Sequence, residues 1–222
     1  MALLIDADDT LWENIRVFHD VNDRFADWIA PEAPTAFLEF ADQVQRELVV
    51  RHGYGAATFR LSLLETIRRH QQAEPTREQH DRVNLLVEPF EWQSVDLLPG
   101  VVPTLEALRD RHDLHLVTKG DPREQSKKLE VSGLESHFDS IHIVPEKTPD
   151  AYSGVVVEQG LDVAGSWMIG NSPRSDIVPA LSVGLGAVHI PHPDTWGHED
   201  GEVPDHERLL VLDRFVDLLN HF

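Results

Sequence analysis

The sequence predicts an α/β fold: a parallel-sheet core, interrupted just after its first strand by an all-helical insertion. Three observations predict it. A strand-length apolar run, Leu3 to Ile5, breaks off abruptly into acids at Asp6. Between residues 13 and 97 the apolar stripes have helical spacing and no strand signal intervenes. Between residues 98 and 222 strand-length apolar runs alternate with amphipathic ones of helix length, the rhythm of a parallel sheet covered on both faces. The layout is one core, residues 1–12 and 98–222, with a helical subdomain of residues 13–97 set into it.

In chain order, Ile15, Phe18, Asn22, Phe25 and Trp28-Ile29 mark a first helix, ended by Pro31 and Pro34. Phe37, Phe40, Val44 and Leu48 mark a second, stopped near Gly53-Tyr54-Gly55. Phe59, Leu63-Leu64 and Ile67 mark a third, and Pro75-Thr76 opens a fourth with Val83, Leu86-Val87 and Phe90 on its apolar side. After Pro99-Gly100 come a helix over 102–112 and a strand over 114–118. A helix over 122–132 follows, with Gly133 where a left-handed cap is needed. Then come a strand over 141–144, a helix over 150–159 capped by Gly160, and a strand over 167–169. A helix over 173–183 is bent by the internal Pro179. Strands over 186–190 and 209–212 and a closing helix over 213–222 complete the chain, with 192–204 as a polar surface loop.

Composition narrows the function. The chain has 222 residues, no cysteine and a net charge of −20. Disulfides, thiolate zinc sites and cysteine nucleophiles are excluded. The average field repels a phosphate backbone, so no nucleic-acid partner is expected. No run reaches the length of a membrane span, and the first residues lack the basic and apolar regions of a secretory signal. A cytoplasmic protein with no membrane partner, monomer or homodimer, is the expectation. His189, His192 and His198 cluster late in the chain without zinc spacing and read as loop and strand-end residues. Trp28, Phe59 and Trp92 read mostly as core of the helical subdomain.

The chemistry concentrates at strand ends. Asp6 and Asp8 are two apart, and in an extended chain such residues point to the same side. Two carboxylates forced to about 4 Å repel by roughly 4 kcal/mol at an effective dielectric of 20. Such a pair needs a cation between its members or a proton on one of them. The second core strand ends in Thr118-Lys119-Gly120, Lys147 follows the third, and the fourth ends in Gly170-Asn171-Ser172 with Asp176 beyond. Taken singly, Thr118 is an ordinary strand-end residue, Lys147 a solvated lysine and Asp176 a first-turn helix acid. A parallel sheet brings all four ends to one edge, where open α/β sheets bind ligands.

These four elements, in this order, resemble the four motifs of the haloacid dehalogenase superfamily, and the resemblance spans the chain. The first, Asp6-x-Asp8-x-Thr10-Leu11, is the most specific, and the helical block after it resembles a C1-type cap. The resemblance implies a Rossmann-like core and a magnesium-dependent phosphatase. In it Asp6 is the nucleophile, forming an aspartyl phosphate. Asp8 is the acid and base, with its backbone carbonyl on magnesium, and Thr10 supports the turn. Thr118 and neighbouring backbone N–H groups at Lys119 and Gly120 hold the phosphoryl oxygens. Lys147 neutralises charge, with Lys119 a lesser candidate. Asp6, Asp8, Asn171 and Asp176 form the Mg2+ set. Two departures stand out: Asn171 replaces the usual Asp, and Thr148 separates Lys147 from Pro149. A C1 cap implies a small phosphorylated substrate, such as a sugar phosphate, phosphoglycolate or a nucleoside monophosphate. The alternatives are a 2-haloacid dehalogenase, against which Asp8 argues, a mutase, and a phosphate-ligand binding protein weakened by Asn171.

Overall fold

A computed structural model describes residues 1–194, 199 and 201–222. Its sheet has six strands: β1 (Ala2–Ile5), β2 (Asp113–Lys119), β3 (Ser140–Val144), β4 (Trp167–Gly170), β5 (Gly186–His189) and β6 (Leu209–Val211). All pairings are parallel, in the order β3-β2-β1-β4-β5-β6. The strand order reverses between β1 and β4, the point at which such sheets bind ligands beyond their carboxyl ends. The register pairs Ile5 with both Leu116 and Ile169, so Asp6 lies level with Val117 and Gly170.

The central strand is apolar on both faces because both are covered. Leu3 and Ile5 pack with Leu105, Leu108, Leu129 and Leu218, from α5 (Val101–Arg109), α6 (Pro122–Ser132) and a 3-10 turn over Phe215–Asn220. Leu4 points the other way, against Tyr152, Val155 and Ala180 from α7 (Pro149–Gln159) and α8 (Val178–Ser182). Each such side chain contributes roughly 1.5–3 kcal/mol by leaving water. Along β1 itself no polar side chain occurs before Asp6.

Three sequence expectations change in the sheet unit. The bent helix over 173–183 is a π-turn, Pro173–Ile177, followed by α8. Pro179 lies in the first turn of α8, where its missing N–H breaks no helical bond. The closing helix shortens to the 3-10 turn Phe215–Asn220. The loop over 192–204 begins with a buried residue, His192. His198, expected there as a loop residue, lies outside the described residues.

The chain divides into two compact units, residues 1–15 with 94–222, and residues 16–93. Residues 13–15 and 94–97 go with the sheet because the two chain segments are hydrogen-bonded together: Glu13 N donates to Asp96 O at 2.9 Å and Leu98 N to Leu11 O at 2.9 Å. The second unit is helical, formed by α1 (Ile15–Ile29, from Arg16 on), α2 (Pro34–His52), α3 (Ala56–Gln71), α4 (Arg77–Leu86) and a 3-10 turn over Glu88–Glu91. Its core is aromatic: the Phe59 ring lies 4.9 Å from Phe18 and 5.1 Å from Phe90, between centroids. Phe59 and Trp92 are buried, as expected, whereas Trp28 is only part-buried beneath the Arg82 guanidinium. Thr76 opens α4 with a capping box to Gln79. Among the described residues no helix is long and apolar enough to cross a membrane.

Candidate active site

The sheet ladder runs one residue past β1, with Asp6 N donating to Ile169 O at 2.9 Å. The chain then turns tightly. Leu11 N donates to Ala7 O at 2.8 Å, and Asp9 takes a left-handed conformation with φ 60°. Asp6 thus closes the strand and Asp8 begins the turn, near enough that its charge adds to the upward push on the Asp6 pKa. The turn sends them to different partners, and each has its own lysine.

Asp6 is buried with Thr10, Lys147 and Asp176. Thr10 Oγ1 donates to Asp6 Oδ2 at 3.0 Å and lies 3.4 Å from Asn171 Oδ1. Lys147 Nζ donates to Asp6 Oδ1 and, at 2.6 Å, to Asp176 Oδ1. Asp176 Oδ2 accepts from Ser172 N at 2.9 Å. Gly170 makes room for this arrangement: a Cβ there would lie 2.3 Å from Asp176 Oδ2. Thr148 explains its own place between Lys147 and Pro149, because it caps α7, accepting from Ala151 N at 3.2 Å with Pro149 in the first turn.

The electrostatics follow from burial. Loss of water pushes the Asp6 carboxyl up to about 7, against the pull of Lys147 and with the push of Asp176. Burial works against the Lys147 ammonium, but Asp176 and Asp6 outweigh it and raise its pKa. Two carboxylates share one ammonium, so this buried cluster is one positive charge short of neutral when both are ionised.

Asp8 faces α6. Its Oδ1 accepts from Trp12 Nε1 at 2.7 Å and Lys128 Nζ at 2.9 Å, and its Oδ2 from Gln125 Nε2 at 2.8 Å. Burial raises the carboxyl pKa, but the Lys128 charge and these hydrogen bonds outweigh burial and hold it below the usual value. The sequence reading missed Gln125 and Lys128. The signal was a helix whose inward positions 125, 128 and 129 carry two polar residues where a core face calls for apolar ones.

The second strand end divides. Thr118 is buried at the penultimate position of β2, on the same edge. Lys119 turns elsewhere: its Nζ donates to Ser175 Oγ at 2.9 Å and also contacts Glu199 and, at 3.4 Å, Glu146. Gly120 has φ 138°, and a Cβ there would press on Gln125 at 3.1 Å. Glu199, also unforeseen, accepts from Ser172 Oγ at 2.9 Å and Ser175 Oγ at 2.5 Å.

Asp6, Asp176 and Asn171 present oxygen ligands of the kind a hard divalent cation takes. A separate group, Asp9, Glu13 and His192, is the one set of three or more His, Asp or Glu side chains among the described residues that converges closely enough to hold a metal. It shares no member with the expected set. His189, the last residue of β5, bonds through Nε2 to Asn171 O at 3.0 Å.

The chain matches the family model of haloacid dehalogenase-like hydrolases over residues 1–184. It is 25% identical over 192 residues to pyrimidine 5'-nucleotidase YjjG of Escherichia coli (strain K12), covering 82% of each chain. Among solved structures it resembles a haloacid dehalogenase-like family hydrolase from Xanthomonas campestris, with TM-score 0.86 and 27% identity over 100% of this chain and 89% of that one. L-2-haloacid dehalogenase from Xanthobacter autotrophicus has TM-score 0.66 at 15% identity, over 99% of this chain and 96% of that one, a likeness of fold alone.

Proposed function

This chain belongs to the haloacid dehalogenase-like hydrolase family, and from that premise we propose that it is a phosphatase acting on a small phosphorylated metabolite. The observation that carries the reading is the buried Asp6 carboxylate, held by Thr10 and Lys147 at the switch point of a parallel sheet. An oxygen of Asp6 attacks phosphorus, an Asp6 O–P bond forms, and the bond from phosphorus to the leaving oxygen breaks. The leaving oxygen takes a proton and departs as an alcohol. Water then attacks the aspartyl phosphate, releasing inorganic phosphate and restoring the carboxylate. We assign the proton transfers to Asp8: its carboxylate takes a proton from solvent, gives it to the leaving oxygen, and takes one back from the attacking water.

Thr10 orients Asp6, and Lys147 lowers the repulsion between Asp6 and an incoming phosphate dianion. Asp6, Asp176, Asn171 and the Asp8 carbonyl would hold Mg2+. That set suits a cluster one positive charge short of neutral. Bound there, the ion supplies charge neutralisation for nucleophile and phosphoryl oxygens. Thr118, with the backbone N–H of Lys119, is assigned to the phosphoryl oxygens; the Gly120 N–H, expected to join them, instead donates to Val144 O at 3.2 Å. We assign the helical unit the role of a C1-type cap from its place in the chain, between β1 and α5. Among the substrate classes a nucleoside monophosphate is favoured, supported by the 25% identity to a pyrimidine 5'-nucleotidase over 82% of each chain.

The test is hydrolysis of 4-nitrophenyl phosphate and a panel of nucleoside monophosphates, with and without Mg2+, by wild type and Asp6→Asn. The reading expects metal-dependent phosphate release that falls roughly 10³-fold or more in the variant. Equal release by the two proteins would sink it. Chloride release from 2-chloropropionate without phosphate release would replace it with the dehalogenase reading.

A further inference from the structure

We infer that Lys128, with Gln125, is a positioning residue that fixes the Asp8 carboxylate for the reaction, an inference that rests on the phosphatase reading. The geometry is specific. Lys128 Nζ reaches both oxygens of Asp8, at 2.9 and 3.1 Å, and also donates to Asn14 Oδ1 at 2.7 Å. Gln125 Nε2 spans Asp8 Oδ2 at 2.8 Å and Lys119 O at 3.2 Å, tying the carboxylate to the end of β2. Trp12, wholly buried, holds the other oxygen from its own turn. A carboxylate gripped at both oxygens from two sides cannot rotate freely about its side-chain bonds.

The lysine itself is informative. Its side chain is 4% exposed, while that of Asp8 is 22% exposed. Burying an ammonium is unfavourable unless its hydrogens are bonded, and a buried ion pair adds little stability over an apolar pair of the same shape. What such a pair does supply is a fixed direction. Here it is supplied to the more exposed partner, the one assigned to proton transfer. The two side chains sit three residues apart on the inward face of α6, a helix anchored at both ends. Asp121 caps its start, accepting from Arg123 N at 2.9 Å, and Gly133 takes the left-handed conformation past its end. Gly120 leaves the space Gln125 occupies. The whole device is built on elements of the sheet unit.

A double-mutant cycle tests it, read as kcat and KM on 4-nitrophenyl phosphate and the nucleoside monophosphate panel with Mg2+. Misplacing a reacting group by about 1 Å lowers rates roughly 100-fold. Lys128→Met is therefore expected to lower kcat about 100-fold with KM within about threefold, and Lys128→Arg to recover most of the loss. In an Asp8→Asn background, Lys128→Met is expected to lower kcat by no more than about threefold further, because Lys128 acts through Asp8. Losses that multiply across the cycle, or a Lys128→Met enzyme as fast as wild type, overturn the inference and leave the phosphatase reading standing. If Lys128→Met does not fold, Gln125→Leu goes through the same cycle. A smaller loss that vanishes in the Asp8→Asn background supports the inference, and a loss that persists there, or no loss, overturns it. Wild-type silence on every ester overturns the phosphatase reading and this inference together.

Discussion

At the scale of single residues, the site depends on close approaches that leave no slack. Gly170 is the clearest case. The Asp176 carboxylate occupies the space a Gly170 side chain would need, overlapping the position of its Cβ. Gly170→Ala should push Asp176 out of reach of Lys147 and Ser172. Overpacking of this kind costs roughly 1–3 kcal/mol, so the thermal midpoint should fall. Phosphate-ester turnover should drop by more than about tenfold, as kcat measured beside the melt. Unchanged turnover in a folded Gly170→Ala protein would mean that Asp176 is not held there. That Gly170 ends a strand is legible in the sequence. That it must be glycine is not, because the atoms that crowd it belong to a residue whose aim is set by a π-turn.

At the scale of elements, the helices are legible wherever apolar spacing decides them. Pro122–Ser132 ends where the sequence places it, with Gly133 in the left-handed conformation beyond it. The helical unit was readable because its stripes of Phe, Leu and Val repeat with the helical period. Its stability should rest on the ring cluster around Phe59. Phe59→Ala is expected to cost about 3–5 kcal/mol. Hydrogen exchange should then show loss of protection within residues 16–93 before the sheet strands lose theirs. Simultaneous loss in both units would show that the helical unit has no stability of its own. Elements whose ends are set by hydrogen bonding were less legible. The stretch 173–183 splits into a π-turn and α8 because Pro179 suits a first turn, and hydropathy carries no trace of that split.

At the scale of the whole molecule, the net charge of −20 acts as a field rather than through any pair. Raising the salt from about 10 mM to about 150 mM shortens the screening length from roughly 30 to 8 Å. The thermal midpoint should rise by a few degrees, since about 1 kcal/mol shifts a chain of this size by roughly 2–4 °C. A flat or falling midpoint over that range would mean that local ion pairs outweigh the general repulsion.

The order of the strands' chemical endings, the apolar first strand and the helical insertion were determined by the sequence, each from something local: a period, a breaker or a polar residue closing an apolar run. Thr10, Lys147 and Asp176 were singled out by the family resemblance, since their own local patterns say nothing specific. What only the tertiary structure decided is partnership. Asp6 and Asp8 are two residues apart, yet one pairs with Lys147 and the other with Lys128. Lys119, adjacent to Thr118, is drawn to Ser175 and Glu199. A one-dimensional pattern records which face a side chain takes on its own element. It does not record which distant side chain meets it there, because that depends on the turn after β1, the strand order and the seating of α6 against the sheet.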